Sequence, residues 1–183
     1  MTAVYYKKSD CIDSNCFIDD YIPFVPNSIY LYTFGDLFIM SFIIPTSHNA
    51  SHLLHIIFGL LLVTACQCLV FIYVPSTLPD FYRTELDRYE RRCGKVHTWT
   101  RQFYDKMHMM DGNLTVLPSG HCSIATYLAM TQFHLFGWWT MLNPLFIALS
   151  CVMTKQHSFV DVVLGIVFGF CIFGLVDYTM HIL

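Results

Sequence analysis

Long apolar runs alternate with short polar stretches along this chain of 183 residues. The apolar runs are residues 28–45, 53–74, 120–136, 139–153 and 159–182. The longest of them reach the roughly 20 apolar residues that an α-helix needs to cross a bilayer. Backbone groups in lipid must be paired within the spanning element, which favours helices. The pattern therefore predicts an all-α, polytopic transmembrane bundle of about five spans.

Two polar stretches are expected to lie outside the bundle. Residues 1–20 form a polar N-terminal tail, expected to be loosely ordered, before a membrane domain at 21–183. Residues 75–117 form one charged loop, in which opposite charges at helical spacing predict an amphipathic helix around 81–93. All ten Lys and Arg residues then share one side of the bundle. The positive-inside rule places that side in the cytoplasm of a multi-pass protein of an endomembrane or the plasma membrane.

Composition supports a membrane protein and argues against other classes. The chain is 55% hydrophobic, with a mean hydropathy of +0.51, which is too apolar for an ordinary soluble domain. No basic stripe lies on a predicted soluble helix, so a nucleic-acid partner is not expected. No Cys/His set has zinc spacing. His48, His52 and His55 could bind a metal on a helix, but an interfacial turn is the favoured interpretation.

Residues 150–161, with the sequence SCVMTKQHSFVD, place polar groups between two apolar runs. His157 and Asp161 are four residues apart, so on a helix the carboxylate could hold the imidazole. Lys155 lies two residues before His157. Charged groups at a membrane edge are costly and indicate function by default, although a satisfied interfacial histidine would explain the same residues.

Residues 118–122 have the sequence PSGHC, which begins with a turn-like Pro-Ser-Gly, and the apolar run 123–136 follows. Ser119 is a natural N-cap for a helix that begins there. The free backbone N–H groups at such a helix start suit an oxyanion such as phosphate. His121 would lie in the first turn, beside whatever is bound.

Together the two stretches resemble the second and third signature motifs of the type 2 phosphatidic acid phosphatase superfamily, which includes the vanadium haloperoxidases. The common third motif is Ser-Arg, five residues, His, three residues, Asp. This chain has Ser150, then Cys151 in place of the arginine, then His157 and Asp161. Its Thr-Lys-Gln-His form resembles a membrane branch of lipid phosphatases and inositol-phosphate transferases, in which a lysine two before the histidine replaces that arginine.

The resemblance covers about residues 18–175 and departs from the family at two points. Five spans are one fewer than the six of the usual core, and the missing helix is the first. The family's first motif, a basic phosphate clamp, falls in the charged loop, but this chain has no Arg-Pro pair there. Arg83 is the nearest arginine and the preferred candidate, with Arg88 as the alternate.

The resemblance also implies a role for each residue of the site. His157 would attack phosphorus and form a phosphohistidine, and Asp161 would orient and stabilise its imidazole. His121 would protonate the departing alcohol and then activate the acceptor. No metal and no other cofactor is expected. The groups implied to hold the phosphate are Lys155, the backbone N–H groups of Ser119 and Gly120, and Arg83.

Three functions remain open on the sequence. The favoured one is a lipid phosphate phosphatase acting on a phospholipid or sphingolipid phosphate such as phosphatidic acid, because water as acceptor needs no second substrate pocket. The alternative is a phosphotransferase to an alcohol, like inositol phosphorylceramide synthase or sphingomyelin synthase. The third is a non-enzymatic membrane protein that keeps the fold and has lost its clamp.

Overall fold

The computed structural model describes residues 12–14, 16–35, 47, 49–77, 82, 84–111 and 117–182. Within these residues the chain is mostly helical, which confirms the all-α prediction. The helices are α1, described over 29–35, then α2 (Ala50–Tyr73), α3 (Glu85–Cys93), α4 (Thr98–Asp111), α5 (Gly120–Thr131), α6 (Phe133–Phe136), α7 (Leu142–Met153) and α8 (Phe159–Ile182). Short 3-10 turns lie at Phe17–Asp20, Pro26–Ser28 and Gly137–Met141, and two-residue strands are β1 (Ile12–Asp13) and β2 (Ser76–Thr77).

Three helical stretches among the described residues are long and apolar enough to cross a membrane. They are Ala50–Tyr73, Phe133–Met153 and Phe159–Met180. The first and last fall on the predicted spans 53–74 and 159–182, and the middle one joins the end of the predicted span 120–136 to the span 139–153. The predicted first span, 28–45, is helical over 29–35, and its remainder lies outside the described residues.

The third predicted span, 120–136, is instead two helices, neither long enough alone to cross a membrane. With 12 residues, α5 is about 18 Å long, against the roughly 30 Å of a bilayer core. It lies at the centre of the bundle, packed by α2, α7 and α8. Because its neighbours are protein, α5 can carry the buried hydroxyls of Ser123 and Thr126.

Glycines on α8 let that helix approach the backbone of α5. A Cβ atom at Gly165 would lie 2.6 Å from the carbonyl oxygen of Ser119, and one at Gly169 would lie 2.5 Å from that of Ser123. Small residues one turn apart are the usual means of close helix contact in membranes. The sequence pattern also suggests Gly174 as a close-packing position, which is wrong, because a Cβ there would meet nothing within 4 Å.

The polar N-terminal tail is packed against the domain where the structure describes it, rather than loosely ordered. We call residues 12–14 and 16–20 the N-terminal strap. Its strand β1 pairs in parallel with β2, and the Ile12 N–H donates to the Pro75 carbonyl at 3.0 Å. The strap and the region after α2 therefore meet at one end of the bundle, as the predicted topology requires.

The charged loop contains the helix predicted around 81–93, which is α3, followed by α4. Its charges largely pair with one another at the surface. Arg101 on α4 contacts Asp87 at 2.6 Å and Glu90 at 3.0 Å, both on α3. These ion pairs hold the two loop helices together, although exposed pairs contribute little each.

Replacing Gly165 with alanine should lower the stability of the fold by about 1–3 kcal/mol, because the added Cβ meets a backbone carbonyl that cannot move aside. The matched control is Gly174→Ala on the same helix, where the Cβ meets open space. Thermal unfolding followed by circular dichroism in detergent measures both. Equal midpoints for the two variants would contradict the close approach of α5 and α8.

Candidate active site

The second motif is held at the start of α5 by three separate elements. Ser119 is the N-cap, as predicted, and its hydroxyl accepts the N–H of Cys122 at 3.5 Å. Gln67, buried on α2, donates its side-chain amide to the Pro118 carbonyl at 2.9 Å. The Leu117 N–H donates to the hydroxyl of Ser76 on β2 at 2.9 Å, and the Leu117–Pro118 bond is cis.

The third motif forms a tight turn between α7 and α8. The carbonyl of Cys151 accepts the N–H groups of Gln156 at 3.2 Å and His157 at 3.3 Å. Lys155 adopts the left-handed conformation, with φ of 57°, so the chain reverses within five residues. This folding of residues 154–158 presents His157 beside the start of α5.

A backbone hydrogen bond joins the two motifs directly. The Ser119 N–H donates to the Asp161 carbonyl at 3.0 Å. The imidazole ring centroids of His121 and His157 are 6.2 Å apart. The two motifs therefore meet in the fold, as a site shared by both histidines requires, whereas the roles of the two histidines stay predictions.

Asp161 is held by an N-terminal capping box on α8. Ser158 is the residue before the helix, and its N–H donates to Asp161 Oδ2 at 2.9 Å while the Asp161 N–H donates to Ser158 Oγ at 3.2 Å. His157 therefore precedes the helix instead of facing Asp161 across one of its turns. The Ser-x-x-Asp pattern of residues 158–161 is the sequence signal for this arrangement.

The carboxylate of Asp161 lies on the Nδ1 side of the His157 ring. The distance from Nδ1 to Oδ2 is 3.9 Å, which is longer than a hydrogen bond but close enough for electrostatic stabilisation of an imidazolium. Asp161 is fully buried and His157 is 7% exposed. Because Nδ1 faces the carboxylate, Nε2 is the nitrogen directed away from it.

Tyr32 of α1 packs against both histidines, a contact that no sequence motif indicates. Its ring centroid lies 4.2 Å from that of His121 and 6.2 Å from that of His157. Tyr32 is itself buried. An aromatic residue in an apolar run predicts lipid or core contact, and only the tertiary structure distinguishes this position from its neighbours.

Lys155 is bound by the N-terminal strap. Its ammonium donates to the carbonyl of Asp19 and lies 5.6 Å from the centroid of the Tyr82 ring. Burial lowers the pKa of Lys155, while the nearby carboxylates, Asp19 first, oppose that shift. The ammonium lines a cavity of about 370 Å³ together with Asp20 and Glu85.

The other predicted phosphate ligands have mixed outcomes. The Ser119 N–H was expected to face the phosphate, but it donates to the Asp161 carbonyl. Gly120 occupies the first position of α5, where an N–H group has no acceptor inside the helix. Arg83 lies outside the described residues. Its alternate, Arg88, is paired with Glu85 at 2.7 Å and is 45% exposed.

Cys151, which the resemblance aligns with the family arginine, is buried against the second motif. Its Sγ lies 3.9 Å from that of Cys122 and 4.0 Å from the Ser119 hydroxyl. The structure therefore has a small packed side chain at this place. Among the residues that the structure describes, no group of three or more His, Cys, Asp and Glu could hold a metal ion.

Long apolar helices around two neighbouring histidines, of which His157 is buried and His121 half-buried, are the features of a helical membrane protein with a polar site. A family model described as the PAP2 superfamily matches residues 20–175, and this chain belongs to that superfamily. Its members are phosphatases or phosphotransferases. Comparison with curated proteins found no significant match, and comparison with solved structures found none either.

Replacing Tyr32 with alanine should make His121 more reactive toward diethylpyrocarbonate, because the ring that covers its imidazole is removed. Tyr32→Phe keeps the ring and should leave the rate unchanged. Mass spectrometry of the modified peptide measures the rate. Tyr21→Ala is the control, since Tyr21 is 82% exposed. Equal rates in the Tyr32→Ala variant and the unmodified protein would show that the ring does not cover the site.

Proposed function

We propose that this protein is an integral membrane lipid phosphate phosphatase that hydrolyses a phosphomonoester such as phosphatidic acid through a phosphohistidine. Membership of the PAP2 superfamily supports this class of reaction. The observation that carries the proposal is the pair of imidazoles 6.2 Å apart, with the Asp161 carboxylate behind one of them. A nucleophile and a proton donor must both reach one phosphate, and two imidazoles at this separation can reach the same phosphate.

In the first step Nε2 of His157 attacks phosphorus and the bond from phosphorus to the ester oxygen breaks. His121 gives its proton to that oxygen, so the lipid leaves as a neutral alcohol. In the second step His121 takes a proton from water, whose oxygen attacks the phosphohistidine and releases inorganic phosphate. Asp161 holds the His157 ring and stabilises its positive charge while the phosphoryl group is attached.

The phosphoryl oxygens need compensating positive charge, since phosphoryl transfer depends on positioning and electrostatic stabilisation. The Gly120 N–H at the start of α5 is one donor in this proposal, and Lys155 and Arg83 are the cations. Because the Lys155 ammonium is bound to the Asp19 carbonyl, it must exchange that partner for the phosphate. The proposed reaction uses no metal ion.

His157→Ala should abolish hydrolysis of phosphatidic acid, because it removes the residue that carries the phosphoryl group in this proposal. Asp161→Asn should leave a slow residual rate, since Asp161 only orients and stabilises. Purified protein in mixed micelles with labelled phosphatidic acid measures phosphate release. The trapped phosphoenzyme should be labile in acid and stable in base, as phosphohistidine is.

The matched control is His97→Ala, which removes an exposed histidine of the loop between α3 and α4 and should retain full activity. Vanadate should inhibit, because it adopts the five-coordinate geometry of the transition state. Activity should survive a chelator. Near-normal turnover in His157→Ala, or loss of activity with a chelator and recovery with Mg²⁺, would show that the mechanism is wrong.

The alternative function, a lipid phosphotransferase, forms the same phosphoenzyme and differs only in the acceptor. We expect labelled phosphatidic acid to release inorganic phosphate at the same rate with and without inositol or ceramide, because water is the proposed acceptor. Thin-layer chromatography separates free phosphate from a phosphorylated alcohol. Label found mainly in a phosphorylated alcohol would assign the protein to the transferases.

A further inference from the structure

Ser14, in the N-terminal strap, contacts the catalytic machinery across most of the chain. Its hydroxyl donates a hydrogen bond to Asp161 Oδ2 at 3.2 Å, and the two residues are 147 positions apart in sequence. Ser14 is 5% exposed. The contact is therefore a buried hydrogen bond between a polar segment that precedes the membrane and the carboxylate beside His157.

The strap is anchored on both sides of Ser14, so the position of its hydroxyl is determined by the fold. Before Ser14, β1 pairs with β2. After it, the Asp19 carboxylate accepts the Cys16 N–H at 3.0 Å and the Phe159 N–H, at the start of α8, at 2.8 Å. A carboxylate at a helix N-terminus is favourable, because it pairs with N–H groups that lack an acceptor and complements the helix dipole.

The orientation of the Asp161 carboxylate depends on few donors. Oδ2 accepts from the Ser158 N–H and from the Ser14 hydroxyl, and Oδ1 has no hydrogen-bond partner among the described residues. The terminal torsion of an aspartate is broad, so bonds to its oxygens decide where they point. With Ser14 absent, Ser158 would be the one residue left among the described residues to hold the carboxylate that faces His157 Nδ1, through its N–H and its side chain.

We propose that Ser14 is a positioning residue for the reaction of His157, and that it acts through Asp161. This inference rests on the proposed function, in which His157 carries the phosphoryl group. The Ser14 hydroxyl holds the carboxylate on the Nδ1 side of the imidazole, where it stabilises the positive charge that develops on the ring. The hydroxyl touches neither the substrate nor the reacting atoms.

If the Ser14 hydroxyl had a purely structural role, its removal would destabilise the fold rather than lower kcat in a folded protein. The hydroxyl is small, and the strap keeps its β pairing and the bonds of Asp19 when the hydroxyl is removed. Ser14→Ala should therefore fold like the unmodified protein. It should lower kcat for phosphatidic acid by on the order of ten-fold, as expected for loss of a hydrogen bond to a charged group. KM should be unchanged, because the bond supports the transition state rather than binding.

The experiment compares Ser14→Ala with two variants. Ser14→Thr keeps the hydroxyl and should restore most of kcat. Ser28→Ala is the matched control, because the Ser28 hydroxyl donates only to the carbonyl of Val25 at 2.6 Å, on the exposed surface. Circular dichroism and gel filtration in detergent verify the fold of each variant before its kinetics are measured.

A double-mutant cycle with Asp161→Asn tests the route of the effect. If Ser14 acts through the carboxylate, Ser14→Ala should change the residual rate of Asp161→Asn by less than about two-fold, since coupled residues are non-additive.

An unchanged kcat in Ser14→Ala, or a full ten-fold loss in both backgrounds, would overturn this inference while leaving the proposed function intact. Failure of His157→Ala to abolish turnover, or no turnover in the unmodified protein, would overturn the proposed function and this inference with it.

Discussion

The approach of α5 to α8 is the constraint on which the rest of the structure depends. Gly165 and Gly169 allow the two backbones to touch, and the hydrogen bond from the Ser119 N–H to the Asp161 carbonyl fixes the register at the end of that contact. The two histidines follow from this register, since one lies two residues after Ser119 and the other four residues before Asp161. A side chain at Gly165 would separate the helices and the motifs together.

The class of fold and the meeting of the motifs could be predicted from the sequence for local reasons. Apolar runs of sufficient length imply helices, and Ser119 before a run implies a helix start. The arrangement of His157 and Asp161 was predicted as a helical pair, whereas α8 begins only after Ser158. The pattern of Ser158 and Asp161 contained that information, because a capping box places the serine outside the helix and the acid inside it.

The N-terminal strap could not be predicted, because its contacts are long-range and its composition is typical of a solvated tail. Asp19 is one of several acids in the first twenty residues, and nothing local distinguishes it from Asp20. In the structure Asp19 is 2% exposed and caps α8, whereas Asp20 is exposed. Tyr32 and Gln67 are similar cases, since their importance arises from which helix they face and periodicity alone does not show this.

A carboxylate inside a helical membrane domain has few sources of hydrogen bonds. Most backbone N–H groups are already used within the helices, which is the condition for crossing a bilayer. The remaining donors include helix starts, polar side chains on the helices such as Gln67, and side chains of segments outside the membrane. Asp161 is bonded to a helix start through the Ser158 N–H and to a segment outside the membrane through the Ser14 hydroxyl. A site of this kind therefore forms at the end of a bundle, where a polar segment can reach the first turn of a spanning helix and complete its hydrogen bonds.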